Sequence, residues 1–174
     1  MKQGPLRPEL RIRLLDESDR PLYQQLYGDD TTMRHVGPPL NEGQAERSFL
    51  AACRMNRISP PTGRFWVIED DQTGLALGVI GLHWGGPASA ELGVLLPPER
   101  QGQGIATAAI RCLLAPSFDT LQLQRLHTRH AAGHQLAGGL MASLGFTELS
   151  GHTGRTGRCW ELTASQWRAN NRFQ

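Results

Sequence analysis

Apolar and polar positions along this chain alternate with two different periods, and each change of period marks a new element. Arg11-Ile12-Arg13-Leu14-Leu15 alternates closely enough to predict a first strand. Ser18-Asp19-Arg20-Pro21 then reads as a helix start, with a capping side chain and proline in the first turn. Leu22, Tyr23, Leu26 and Tyr27 form the apolar stripe of that helix, and Gly28-Asp29-Asp30 ends it. A second helix opens with Asn41 and Gln44 at capping-box spacing and carries Ala45, Phe49, Ala52 and Cys53 on one face.

Beyond Pro60-Pro61-Thr62-Gly63 the period shortens to two. Strands are expected over about Arg64–Glu69 and Leu75–Trp84, joined by the turn Asp70–Gly74, and a third over Ala90–Leu96 after Gly85-Gly86-Pro87. A helical stripe of Ile105, Ala108, Ala109, Cys112 and Leu113 follows. Arg125–His130 reads as a strand, and His134–Leu144 as a helix closed by Gly145. Short strands near Phe146–Ser150 and Arg158–Leu162 complete the series. The sum is about seven strands with four helices. Three strands in succession before the first β-α-β crossover predict a mixed, mostly antiparallel sheet of the α/β (α+β) class, not a doubly wound one.

At 174 residues the chain has the length of one domain, 1–174, with residues 1–9 expected as a leader. No apolar run reaches the length of a membrane span, and the start lacks a signal-peptide core, so a cytoplasmic protein is expected. Three cysteines with no Cys-x-x-Cys spacing fit reduced thiols in that compartment. A net charge of +2 and scattered arginines give no basic face, so no nucleic-acid partner is expected. No Cys/His spacing predicts a metal site.

The chemistry concentrates at Gln101-Gly102-Gln103-Gly104-Ile105-Ala106, a glycine-rich turn between a strand and a helix. Glycines let backbone N–H groups converge, and a helix start adds partial positive charge; together they form a phosphate cradle. The dinucleotide fingerprint needs a third glycine where Thr107 stands. A P-loop needs Gly-Lys-Ser/Thr, which is absent. A different phosphorylated cofactor is implied.

Gln101-x-x-Gly104-x-Ala106 is similar to the coenzyme A signature of the GNAT superfamily of N-acetyltransferases. Ala90-Glu91-Leu92-Gly93, Leu144-Gly145-Phe146, the opening Leu10–Asp19 and the closing Leu162–Arg168 with Trp167 resemble its Rim-type branch, which acetylates ribosomal-protein N-termini. The resemblance spans about residues 8–168. It implies a single GNAT fold and acetyl-CoA as co-substrate. The backbone of Val94, Leu95 and Leu96 would pair with pantetheine, and the amides of Gly102, Gln103, Gly104, Ile105, Ala106 and Thr107 would hold the pyrophosphate. Gln101 belongs to the same set, and Arg100 or Arg129 could reach the 3′-phosphate. Where the family has Asn-x-x-Ser, this chain has His134-Gln135-Leu136-Ala137. His134 can replace the asparagine's hydrogen bond, whereas Ala137 can do no proton chemistry.

Amine acetylation needs a neutral amine, donors for a developing oxyanion and a departing thiolate. An α-amino group titrates at about 7.7–8 and lysine at about 10.4, while a thiol near 8.5 leaves without a strong acid. The backbone N–H near Leu95 is the natural candidate for the oxyanion donor. Glu91 is the first candidate base and His83 the second. His127 and His130 are three apart and so fall on opposite strand faces, and His35 lies in a loop that covers the acceptor site in the family. His152 reads as surface. Two functions follow: an acetyl-CoA-dependent transferase acting on a small-molecule amine or a peptide N-terminus, as monomer or homodimer, or an acyl-CoA-binding sensor module with little activity.

Overall fold

The computed structural model describes residues 9–150 and 157–171. Seven strands form one sheet in the order β1-β2-β3-β4-β5-β7-β6. They are β1 (Leu10–Leu14), β2 (Gly63–Asp70), β3 (Ala76–Gly86), β4 (Ser89–Leu95), β5 (Arg125–Ala131), β6 (Thr147–Glu148) and β7 (Gly157–Thr163). Every neighbouring pair is antiparallel except β4 with β5, which is parallel. The mixed, mostly antiparallel sheet predicted from the strand succession is therefore present.

The described residues form six α-helices: α1 (Arg20–Gly28), α2 (Asp30–Met33), α3 (Glu42–Met55), α4 (Ile105–Ala115), α5 (Gln135–Ser143) and α6 (Ala164–Asn171). Two of these go beyond the four expected. Helix α2 is a single turn started by Asp29, whose carboxylate accepts from the Thr32 N–H at 2.6 Å. Helix α6 is opened by Thr163 and Gln166, which exchange side-chain-to-backbone hydrogen bonds of 2.8 and 3.2 Å. That is a capping box, readable in Thr163-x-x-Gln166. The Asn41/Gln44 box at the start of α3 forms as expected.

Alternation along the strands sorts side chains into two cores on opposite faces. Ile68, Ile80, Leu82, Ala90, Leu92, Leu126 and Leu162 join α4 and α5 through Ile105, Ile110, Leu113 and Met141. Val67, Val79 and Leu95 join α1 and α3 through Tyr23, Leu26, Phe49 and Cys53. Burying such side chains stabilises the fold by about 1.5–3 kcal/mol each. Phe118, in the turn after α4, stacks on Trp167 of α6 at 5.3 Å, which gives the tryptophan of the tail its structural reason.

Leu144-Gly145-Phe146 also has a physical explanation. Gly145 adopts φ +87°, its N–H donates to the Ala142 carbonyl, and the Phe146 N–H donates to Met141. This Schellman closure turns the chain and places Phe146 in the core. Buried Glu69 is clasped by Arg11 and Arg13, at 2.8 and 2.6 Å, and Arg13 continues to Asp19. Burial would raise the Glu69 carboxyl, but the two guanidiniums outweigh it and hold the carboxyl below its ordinary range.

Candidate active site

The sheet is continuous on the β3 side of β4 and broken on the β5 side. Beside β3, β4 keeps register from Ala90 to Leu95, with a shift before Ser89; beside β5 only Ser89, Ala90 and Glu91 pair, with Arg125, Leu126 and His127. Beyond Glu91 the two strands splay. Backbone groups of Leu92–Leu95 that point toward β5 have no strand partner and face the cavity instead. An extended polar chain laid in this notch would pair with them. Val94, Leu95 and Leu96 all line it. Leu95 and Leu96 are buried in opposite cores, so the main chain is what these residues offer.

At the open end of the notch lies the glycine-rich turn. Gly102 and Gly104 adopt φ +72° and +78°, and a Cβ on either would meet no protein atom within 4 Å. Both face open space, a cradle only glycine leaves free. Gly104 is the N-cap of α4 and supplies no side-chain cap, so the first-turn N–H groups of Ile105, Ala106 and Thr107 have no intrahelical acceptor. These amides, with the helix dipole, fit a pyrophosphate.

The two glutamines behave differently from a ligand contact. Gln101 donates to the Leu96 carbonyl at 3.0 Å, bracing the loop against the end of β4, and Gln103 donates to the Glu99 carbonyl at 2.6 Å, within the loop itself. Ile105 is buried, leaving only its amide for the turn's chemistry. The residues present therefore fit coenzyme A along its pantetheine and pyrophosphate.

One cavity of about 1480 Å³ runs from this loop through the splay to the α1/α3 face of the sheet. On that face Glu91 lies directly opposite His83 in the β3–β4 register. The Glu91 carboxylate accepts from Arg129 Nε at 3.2 Å and from its terminal NH2 nitrogen at 2.9 Å, with His127 Nε2 at 3.9 Å. That carboxylate is held in place by the guanidinium fork, one contact to each of its oxygens. His83 is exposed, and its ring packs edge-on to Phe65 at 6.1 Å. Of the two bases expected, the histidine is the one with free nitrogens. The same fork occupies Arg129, whereas Arg100, which also lines the cavity, makes no side-chain ion pair among the described residues.

His134 precedes α5 and lines the cavity, with its ring 4.4 Å from that of His35 at the end of α2. Burial first, then His35 and His130, lower the His134 pKa below its ordinary value. His130 takes the opposite strand face from His127. It accepts from Trp160 Nε1 at 3.0 Å through Nε2 and lies 2.9 Å from the Ala131 carbonyl through Nδ1. Those partners assign the proton to Nδ1 and the neutral tautomer. Among the described residues no group of three His, Cys, Asp or Glu could hold a metal ion. His152 lies outside the described residues.

Sequence reasoning missed the residues of the opposite wall. Tyr27, Thr31, Arg34 and Phe65 line the cavity. Tyr27 stacks on Tyr23 at 4.2 Å, and burial keeps its phenol far above the ordinary range, hence neutral. Its i+3/i+4 spacing signalled only a core stripe. Arg34 follows a one-turn helix too short to carry a periodic signal.

A splayed parallel pair in an otherwise antiparallel sheet, with an uncapped helix at its mouth, defines an acyl-CoA-dependent acyltransferase fold. The chain belongs to the GNAT acetyltransferases: the family model "Acetyltransferase (GNAT) domain" matches residues 9–147. Members of that family draw their acetyl group from acetyl-CoA. Among solved structures, a spermidine N-acetyltransferase from Vibrio cholerae in complex with CoA and spermine is 24% identical. It superimposes with a TM-score of 0.78 over 91% of this chain and 98% of that one. Mutant forms of the spermidine/spermine N-acetyltransferase SpeG from the same organism give 0.76 at 21% identity, over 92% of this chain and 97% of theirs. A comparison with curated protein sequences finds no match. No helix among the described residues is long and apolar enough to cross a membrane.

Proposed function

We propose that this protein acetylates a primary amine by direct attack in a ternary complex with acetyl-CoA. One observation carries the reading: the coenzyme A notch and the face bearing His83 and Glu91 open into a single cavity through the splay of β4 from β5. The co-substrate supplies an activated thioester; the chain supplies position and proton handling. Unpaired β4 amides near Leu95 donate to the carbonyl oxygen as it gains charge. His83, which lines the cavity opposite Glu91, takes the proton the amine must lose. Glu91, fixed by Arg129, orients the amine. As the C–N bond forms the C–S bond breaks, and a thiolate with a pKa of about 8.5 departs without a strong acid. Ala137 therefore carries no catalytic penalty.

The acceptor is a small-molecule amine or a peptide N-terminus. The Rim-type motifs support the peptide, and the polyamine enzymes of the same fold support a small molecule. Coenzyme A release, measured over a panel of both, tests the reading. Binding of acetyl-CoA with no amine raising thiol release above background would leave the acyl-CoA sensor instead.

A further inference from the structure

We propose that the acceptor is a small amine bearing its own carboxylate, of the amino-acid class, and that Arg34 receives that carboxylate. The inference rests on the acetyltransferase reading and narrows it. Among the described residues lining the cavity there is one carboxylate, Glu91, against three arginines and four histidines. That carboxylate is already taken by Arg129. The residues outside the described set contain no Asp or Glu in their sequence, so none of their side chains adds a negative charge. A polyamine brings several cations and would find no free acidic side chain on this lining to receive them.

Arg34 is the complement. It lines the main cavity and also an adjoining pocket of about 440 Å³, and it forms no hydrogen bond or ion pair among the described residues. Asp30, one turn earlier, lines only the adjoining pocket and makes no ion pair with it. A guanidinium presents five donors in a planar fork, and a carboxylate is the small group that fills such a fork in a bidentate way. Next in sequence, His35 rests on His134, which ties the end of α2 to the cavity wall. Arg34 is thereby next in the chain to a residue packed on the cavity wall. A carboxylate there would leave the amine of the same molecule free to reach toward His83.

The test is calorimetric binding to the coenzyme A-bound full-length protein, run beside thiol release with acetyl-CoA. The ligands are α- and ω-amino acids, their carboxamides, and spermidine. We expect at least one acid to bind about ten- to hundredfold tighter than its own amide and than spermidine, the size of a charge-assisted pair. In Arg34→Gln that ratio should collapse toward one while coenzyme A affinity stays unchanged. Arg34→Lys, which keeps charge but loses the fork, should retain part of it. Amides or spermidine binding as tightly as the acids overturns the proposal, as does an Arg34→Gln ratio equal to the parent's or a loss of coenzyme A affinity. Binding decides this inference and thiol release decides the transferase reading, so either can fail alone.

Discussion

The two halves of the cavity are built from different material. The end proposed for phosphate is backbone: amides of the first turn of α4, two glycines at positive φ, and the unpaired edge of β4. The end proposed for the acceptor is side chain: His83, Glu91, Arg129 and Arg34. A backbone site is fixed by what must be absent, a Cβ or a capping hydroxyl, and it serves any acetyl-CoA user. A side-chain site can vary one residue at a time, so acceptor choice can drift while the cofactor stays constant.

Gly104→Val should break the backbone half with the largest effect. Forcing a β-branched residue into the left-handed region costs about 1–2 kcal/mol, a fraction of the about 5–15 kcal/mol that holds a domain. The new Cβ meets no protein atom. Circular dichroism should report a folded protein and calorimetry no measurable coenzyme A binding. Next, His83→Gln should lower kcat/KM by about a hundredfold or more and flatten its rise with pH, at unchanged coenzyme A affinity. Glu91→Gln should cost only several-fold by the same assay; a larger loss there than at His83 would exchange the two roles.

Gln101→Ala probes the boundary between the halves. Losing the bond to the Leu96 carbonyl should destabilise by about 1 kcal/mol in urea melts, with coenzyme A affinity falling only through the slackened loop. The smallest effect is that of pH. His134 has a lowered pKa in the folded chain, so the unfolded state takes up its proton first as pH falls. Its contribution to stability is complete above about pH 6.5 and is lost as pH drops through the folded value. His134→Asn should shallow the acid limb of the stability curve.

The same division explains what the sequence disclosed. Strands with a buried face announce themselves by alternation, and the glycine turn by residue types that no other conformation requires. Hence the mixed, mostly antiparallel sheet and the glycine-rich turn before α4 were legible. Helix α2 was not, because four residues, Asp30–Met33, cannot display a 3.6-residue period. The engagement of Glu91 was not either: Arg129 lies 38 residues away, and only the short parallel register brings the two together. Pairing across a sheet joins residues whose sequences carry no trace of each other. Tyr27 and Arg34 were invisible for the opposite reasons, one looking like core and the other like surface.

The seam between β4 and β5, three register pairs long, has a mechanical meaning. It divides the sheet into two leaves, β1–β4 and β5–β7, joined by those three pairs, with the His35–His134 contact as a second link. An extended molecule lying in the gutter would act as a spine. Its affinity and the stiffness of the molecule would then be one quantity seen two ways: at a hundred times its dissociation constant such a ligand adds about 2.7 kcal/mol to the folded state. Hydrogen exchange should slow on both leaves together, far from any atom the ligand touches.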